Sequence, residues 1–82
     1  MKLPRDLSGV ELAAKLRRYG YEETRQSGSH LRLTSTARGG THHITIPVHS
    51  SLRIGTLARI ISDVSDYLDV DRDRLVEELF GR

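Results

Sequence analysis

Hydrophobic and polar positions alternate with two different periods along this chain, and the change of period divides it into elements. Ser8-Gly9-Val10-Glu11 has the S-x-x-E form of a helix capping box. Val10, Ala13, Leu16 and Tyr19 then recur at helical spacing, and Gly20 supplies a left-handed stop. The spacing therefore predicts a helix that opens at Ser8 and closes at Gly20. Tyr21 to Gln26 is polar and reads as a short edge strand. Ser27-Gly28 follows as a hairpin turn. Ser29 to Thr34 and Thr41 to Val48 alternate with a period of two, as half-buried strands do, and Ser35 to Gly40 is the loop between them. Pro47 has no amide to give a ladder, so it closes the last strand, and a loop from His49 to Gly55 follows. Leu57, Ile60, Ile61, Val64 and Leu68 mark a second helix with Thr56 as the expected N-cap. Val70 and Leu75 bracket Asp71 at the spacing of a hydrophobic staple, which predicts a final helix from Arg72 to about Phe80 with Leu75, Val76, Leu79 and Phe80 on its apolar side.

This order is an α+β fold: helix, three antiparallel strands, helix, helix. Helices on one face of such a sheet leave its other face open to water. Strand alternation assigns side chains to that open face. Leu31, Leu33, Ile44 and Ile46 must be buried, so His30, Arg32, His43 and Thr45 lie together on the exposed side.

Length and composition narrow the class. Eighty-two residues, 37% hydrophobic and 29% charged, make one globular domain spanning 1–82. No stretch approaches the length of a membrane span. Met1 to Asp6 has no apolar core of a signal peptide, and the chain has no cysteine for disulfides or thiolate metal sites, so the expected location is the cytoplasm, away from membranes. Charge is uneven. Residues 1–59 carry ten Lys/Arg against four Asp/Glu, whereas residues 60–82 carry three against seven. A basic front and an acidic tail let a polyanion meet the first part while the last stays clear of it. Lys15, Arg17 and Arg18 also suit the C-terminal end of their helix, where cations complement the dipole.

Four histidines fall between positions 30 and 49. Zinc ligation is disfavoured by spacing, because His42 and His43 point to opposite faces and no carboxylate lies near them. His42 fits better as a partly buried, hydrogen-bonded side chain at the sheet end. No Gly-rich phosphate loop, no paired carboxylates and no motif for a small-molecule cofactor occur. Imidazoles near neutral pKa can carry out the two proton transfers that RNA cleavage needs without metal: removal of the 2′-hydroxyl proton and protonation of the leaving 5′-oxygen. His30 supplies one such group, and His43 or His49 are candidates for the other. Arg32, Arg38 and Arg53 are candidates for phosphate contacts, with Gly28 and Ser29 bringing the backbone close to the RNA.

The chain resembles the HicA toxins, small mRNA interferases (YcfA-like) of toxin-antitoxin modules. The residues that carry the resemblance are Gly20 after the first helix, Gly28-Ser29-His30 opening a strand, Pro47-Val48-His49 ending the next, and Gly55-Thr56-Leu57 with Ile60 opening the second helix. The likeness runs from about Ser8 to Val64. It implies a fold like the double-stranded-RNA-binding domain, α-β-β-β-α, with mRNA as substrate. It also implies His30 as the catalytic residue and a HicB-like antitoxin that masks the site. Beyond Val64 the chain departs from the pattern, since an acidic segment and an added helix at 72–80 follow, suited to completing the core or to contacting the antitoxin. Two other readings stay open: a non-catalytic RNA-binding module, and a degenerate toxin acting through its antitoxin partner.

Overall fold

A computed structural model describes residues 3–81; Met1, Lys2 and Arg82, the ends of the expected 1–82 domain, lie outside the described residues. The elements follow the expected order: α1 (Gly9–Leu16), a 3₁₀ turn (Arg17–Tyr19), β1 (Glu22–Ser27), β2 (His30–Ser35), β3 (His42–Pro47), α2 (Ile54–Leu68) and α3 (Arg72–Phe80). The sheet is antiparallel in the order β1-β2-β3. Its burial alternates as the sequence period requires, with Leu31, Leu33, Ile44 and Ile46 buried and His30, Arg32, His43 and Thr45 exposed.

The α1 capping box is complete, with Ser8 Oγ accepting from the Glu11 amide at 3.0 Å and Glu11 accepting from the Ser8 amide at 2.9 Å. The buried stripe differs from the expected one. Leu12, Leu16 and Gly9 face the core, while Val10 is 57% exposed and borders a groove between α1 and the sheet. Close approach sets this phase. A Cβ on Gly9 would run into the Pro47 carbonyl, and the Gly9 amide donates to the His49 carbonyl at 3.0 Å. The first turn of α1 therefore sits directly on the end of β3, and its orientation follows.

Tyr21 is wholly buried, although it reads from the sequence as part of a polar strand; β1 begins one residue later and has no buried residue. The second helix starts at Ile54 rather than after Thr56, and Arg53 at its N-cap makes no side-chain capping bond. Asp71 does cap α3, accepting from the Arg74 amide at 3.0 Å, but Val70 is 41% exposed and forms no buried staple.

Leu75, Val76 and Leu79 of α3 belong to the same core cluster as Leu12, Leu33, Ile46, Leu57 and Val64. The added helix thus completes the core. Polar contacts reinforce it: Tyr19 Oη donates to Glu78 Oε1 at 2.7 Å, and Arg18 donates to the Glu78 carbonyl at 3.0 Å. No helix among the described residues is long and apolar enough to cross a membrane.

Candidate functional site

The hairpin joining β1 to β2 fixes the position of His30. Ser27 and His30 pair directly, leaving Gly28-Ser29 as a two-residue turn. Gly28 has φ +58°, a conformation that side-chain-bearing residues resist, and glycine first in such a turn is the type II′ pattern. His30 is the first residue of the strand beyond. On its other side it pairs with Pro47. The Val48 amide donates to the Ser29 carbonyl at 2.6 Å and carries the pairing one residue past β3.

This geometry brings together segments far apart in sequence. Gly28-Ser29-His30, Pro47-Val48-His49, the start of α1 and the start of α2 all meet at one end of the sheet. The His30 ring is exposed and, among the described residues, has no hydrogen-bond partner. It borders two recesses. One, on the open face, is shared with Arg25, Ser27, Arg32 and Thr45. The other lies between β3 and α2 and includes His43, Thr45, Pro47, Arg59 and Asp63.

Arg25 and Arg32 are direct cross-strand partners and both are exposed. Like charges facing each other across a ladder destabilise a sheet unless an anion lies between them. Among the described residues neither guanidinium makes an ion pair.

His43 is placed differently from His30. Its Nδ1 meets Thr34 Oγ1 at 2.8 Å, Thr34 Oγ1 meets Thr24 Oγ1 at 2.8 Å, and Thr24 Oγ1 donates to the Arg32 carbonyl at 3.4 Å. This chain crosses all three strands and orients the ring. His43 pairs with Thr34, whereas His30 pairs with Pro47, so the two are four residue steps apart, about 13 Å along the strand. His49 is only two residues past Pro47. It lies beyond the last paired residues, and its carbonyl accepts from the Gly9 amide of α1 at 3.0 Å.

The remaining candidates separate. Arg53 stands at the His30 end of the sheet but borders a different recess, with Arg5, Asp6 and Ser51. Arg38 sits in the β2–β3 loop at the opposite end, where its amide donates to Tyr67 Oη at 3.0 Å. That end is held by His42, whose ring stacks on Tyr67 with centroids 4.6 Å apart and whose Nδ1 meets Tyr21 Oη at 2.7 Å. Burial, followed by the nearby Tyr67 and Asp63, pushes the Tyr21 hydroxyl well above its ordinary pKa. His42 is thus the partly buried, bonded side chain that its position in the strand implied.

Two residues of the site went unrecognised in the sequence. Arg25 was within reach of a simple count, since pairing outward from the Gly28-Ser29 turn matches it with Arg32. Arg59 was not, because its place beside Pro47 depends on how α2 docks against β3. Among the described residues no three of His, Cys, Asp and Glu are grouped as metal ligands would be.

A family model described as the HicA toxin of bacterial toxin-antitoxin matches residues 9–65. Neither the curated proteins nor the solved structures gave a match.

Proposed function

Because this chain belongs to the HicA toxin family, whose members act in toxin-antitoxin modules alongside an antitoxin, we propose that it is an mRNA-cleaving endoribonuclease that uses His30 as general acid or base. The observation that carries this reading is the exposed His30 ring beside the two opposed guanidinium groups of Arg25 and Arg32, none of them paired among the described residues. An RNA phosphate between those groups removes their repulsion and lies next to an imidazole able to exchange a proton near neutral pH.

In the proposed reaction the ribose 2′-oxygen attacks the adjacent phosphorus while a base takes its proton. The new 2′-O–P bond forms, the P–O5′ bond breaks, and an acid protonates the 5′-oxygen. His30 performs one transfer. The other falls to His43, which borders the same recess as His30, or to His49, just past the end of β3. Arg32 and Arg25 balance the charge that builds on the phosphorane oxygens. Gly28 and Ser29 bring the turn backbone to the RNA, and Arg53 holds a phosphate farther along the strand. The histidines supply the proton transfers, so the proposed reaction is metal-independent. The antitoxin is proposed to be HicB-like and to mask the His30 end, and both proteins to act in the cytoplasm.

The test is a defined single-stranded RNA compared with the same RNA carrying a 2′-O-methyl group at the cleavage position. Cleavage of the first to a 2′,3′-cyclic phosphate, with the second resistant, is expected. Cleavage of both at one site would show that the 2′-oxygen is not the nucleophile. Salt-sensitive binding without any product would favour a non-catalytic RNA-binding module instead.

A further inference from the structure

The recess between β3 and α2 contains a group that phosphate binding does not explain. Arg59 and Asp63 are one turn apart on the same face of α2, and both border the recess that holds His30, His43 and Pro47. Asp63 is exposed and, among the described residues, makes no ion pair. A surface built only to hold a polyanion excludes carboxylates, because each one repels the backbone it faces. Here the carboxylate stands within the same recess as the catalytic imidazole. Beside it lies the half-buried ring of Pro47, with Ile44 and Ile60 buried beneath.

A recess that sets a proline ring beside a charged donor and a charged acceptor matches a nucleobase better than a phosphate. Unstacked bases of single-stranded RNA are recognised by packing against side chains and by hydrogen bonds to their edges. Resting on the ribonuclease reading of His30, we infer that this recess holds a base flanking the scissile phosphate, and that Asp63 selects bases bearing an exocyclic amine. An ionised carboxylate only accepts hydrogen bonds, so it pairs with the amine of adenine, cytosine or guanine. Uracil presents carbonyl oxygens on both sides of its single N–H, and one of them would face the carboxylate. The Arg59 guanidinium donates to a ring nitrogen or carbonyl of the same base. His43, held through Nδ1 by Thr34, borders the same recess.

DNA oligonucleotides containing one ribonucleotide have a single cleavable phosphodiester, and the bases on either side of it can be varied. Wild-type protein is expected to cleave those with adenine, cytosine or guanine in the selected position roughly tenfold faster than those with uracil, the scale of one base contact. Purine riboside, which lacks the amine of adenosine, should fall to the uracil rate. Asp63→Asn, whose amide both donates and accepts, should bring the uracil rate within about threefold of the others. An Asp63→Asn protein that cleaves with the wild-type preference would overturn the inference. So would a wild-type protein that does not distinguish adenosine from purine riboside. Fluorescence anisotropy with 2′-O-methyl oligonucleotides reads the same preference without cleavage. If wild type cleaves nothing yet binds amine-bearing bases in preference to uracil and Asp63→Asn does not, the ribonuclease reading fails while the base-recognition inference stands. Binding with no base preference overturns it.

Discussion

At the scale of single residues, what decides the site is which atoms each side chain can reach. His30 is held at the mouth of a hairpin by Gly28, and among the described residues its ring has no partner. Gly9 has the opposite kind of role, since it is needed for space. A methyl group at position 9 meets the Pro47 carbonyl and must push α1 off the segment that carries His49. Gly9→Ala should therefore cost about 1–3 kcal/mol in urea unfolding, the range of overpacked sites, and should lower cleavage by displacing His49. Full stability with full activity would contradict the close contact between α1 and β3. What was legible in the sequence at this scale was parity. Strand alternation alone put His30, Arg32, His43 and Thr45 on one face and buried Leu31, Leu33, Ile44 and Ile46 on the other. It could not show that Gly9 touches Pro47 or that Arg59 reaches the His30 recess, since both depend on packing between elements remote in the chain.

At the scale of elements, α3 is where the chain departs from the matched family region, which ends at residue 65. Its apolar stripe was readable from spacing, and Leu75, Val76 and Leu79 are buried as that stripe requires. Its docking partner was not, because the Tyr19–Glu78 hydrogen bond spans residues far apart in sequence. Leu75→Ala should cost roughly 2–5 kcal/mol, and removal of residues 71–82 should leave the chain unfolded by circular dichroism. A folded truncated domain would show that α3 only decorates the core. The Tyr19–Glu78 contact also makes docking depend on pH. Burial, then the hydrogen bond to Glu78, push Tyr19 up from 10.0 to about 12. The bond from Tyr19, then that from Arg74, lower Glu78 from its ordinary 4.5. A raised Tyr19 contributes stability that is complete below pH 10 and lost as pH climbs towards 12; a lowered Glu78 contributes stability that is complete above pH 4.5 and lost on acidification below it. Tyr19→Phe removes the first contribution and the part of the second that Tyr19 supplies, leaving the Arg74 bond to Glu78 in place. Unfolding midpoints of wild type and Tyr19→Phe should differ most between those limits and converge beyond them. A constant difference across the range would mean that the hydroxyl contributes through packing alone.

For the whole molecule, the division of charge follows the division of labour. The basic residues Arg25, Arg32 and Arg59 gather around His30, while the acidic Glu77, Glu78 and Asp71 lie on or beside the helix that completes the core. RNA affinity should accordingly fall linearly in log–log plots against salt. Arg25→Ala or Arg32→Ala should make that slope shallower by about one phosphate contact, whereas Arg38→Ala at the far end should leave it unchanged. A slope shared by all three variants would place the RNA elsewhere. Membership of the HicA toxin family also implies an antitoxin partner.

The most direct measurement is cleavage of a defined single-stranded RNA by wild-type and His30→Ala protein in the presence of EDTA, scored by the 2′,3′-cyclic phosphate end. Cyclic ends from wild type, with at least a hundredfold loss in a folded His30→Ala protein, are the predicted result, in keeping with the 10²–10⁴-fold contribution typical of a general acid or base. Cleavage that EDTA abolishes, or that His30→Ala retains at the wild-type rate, would contradict it.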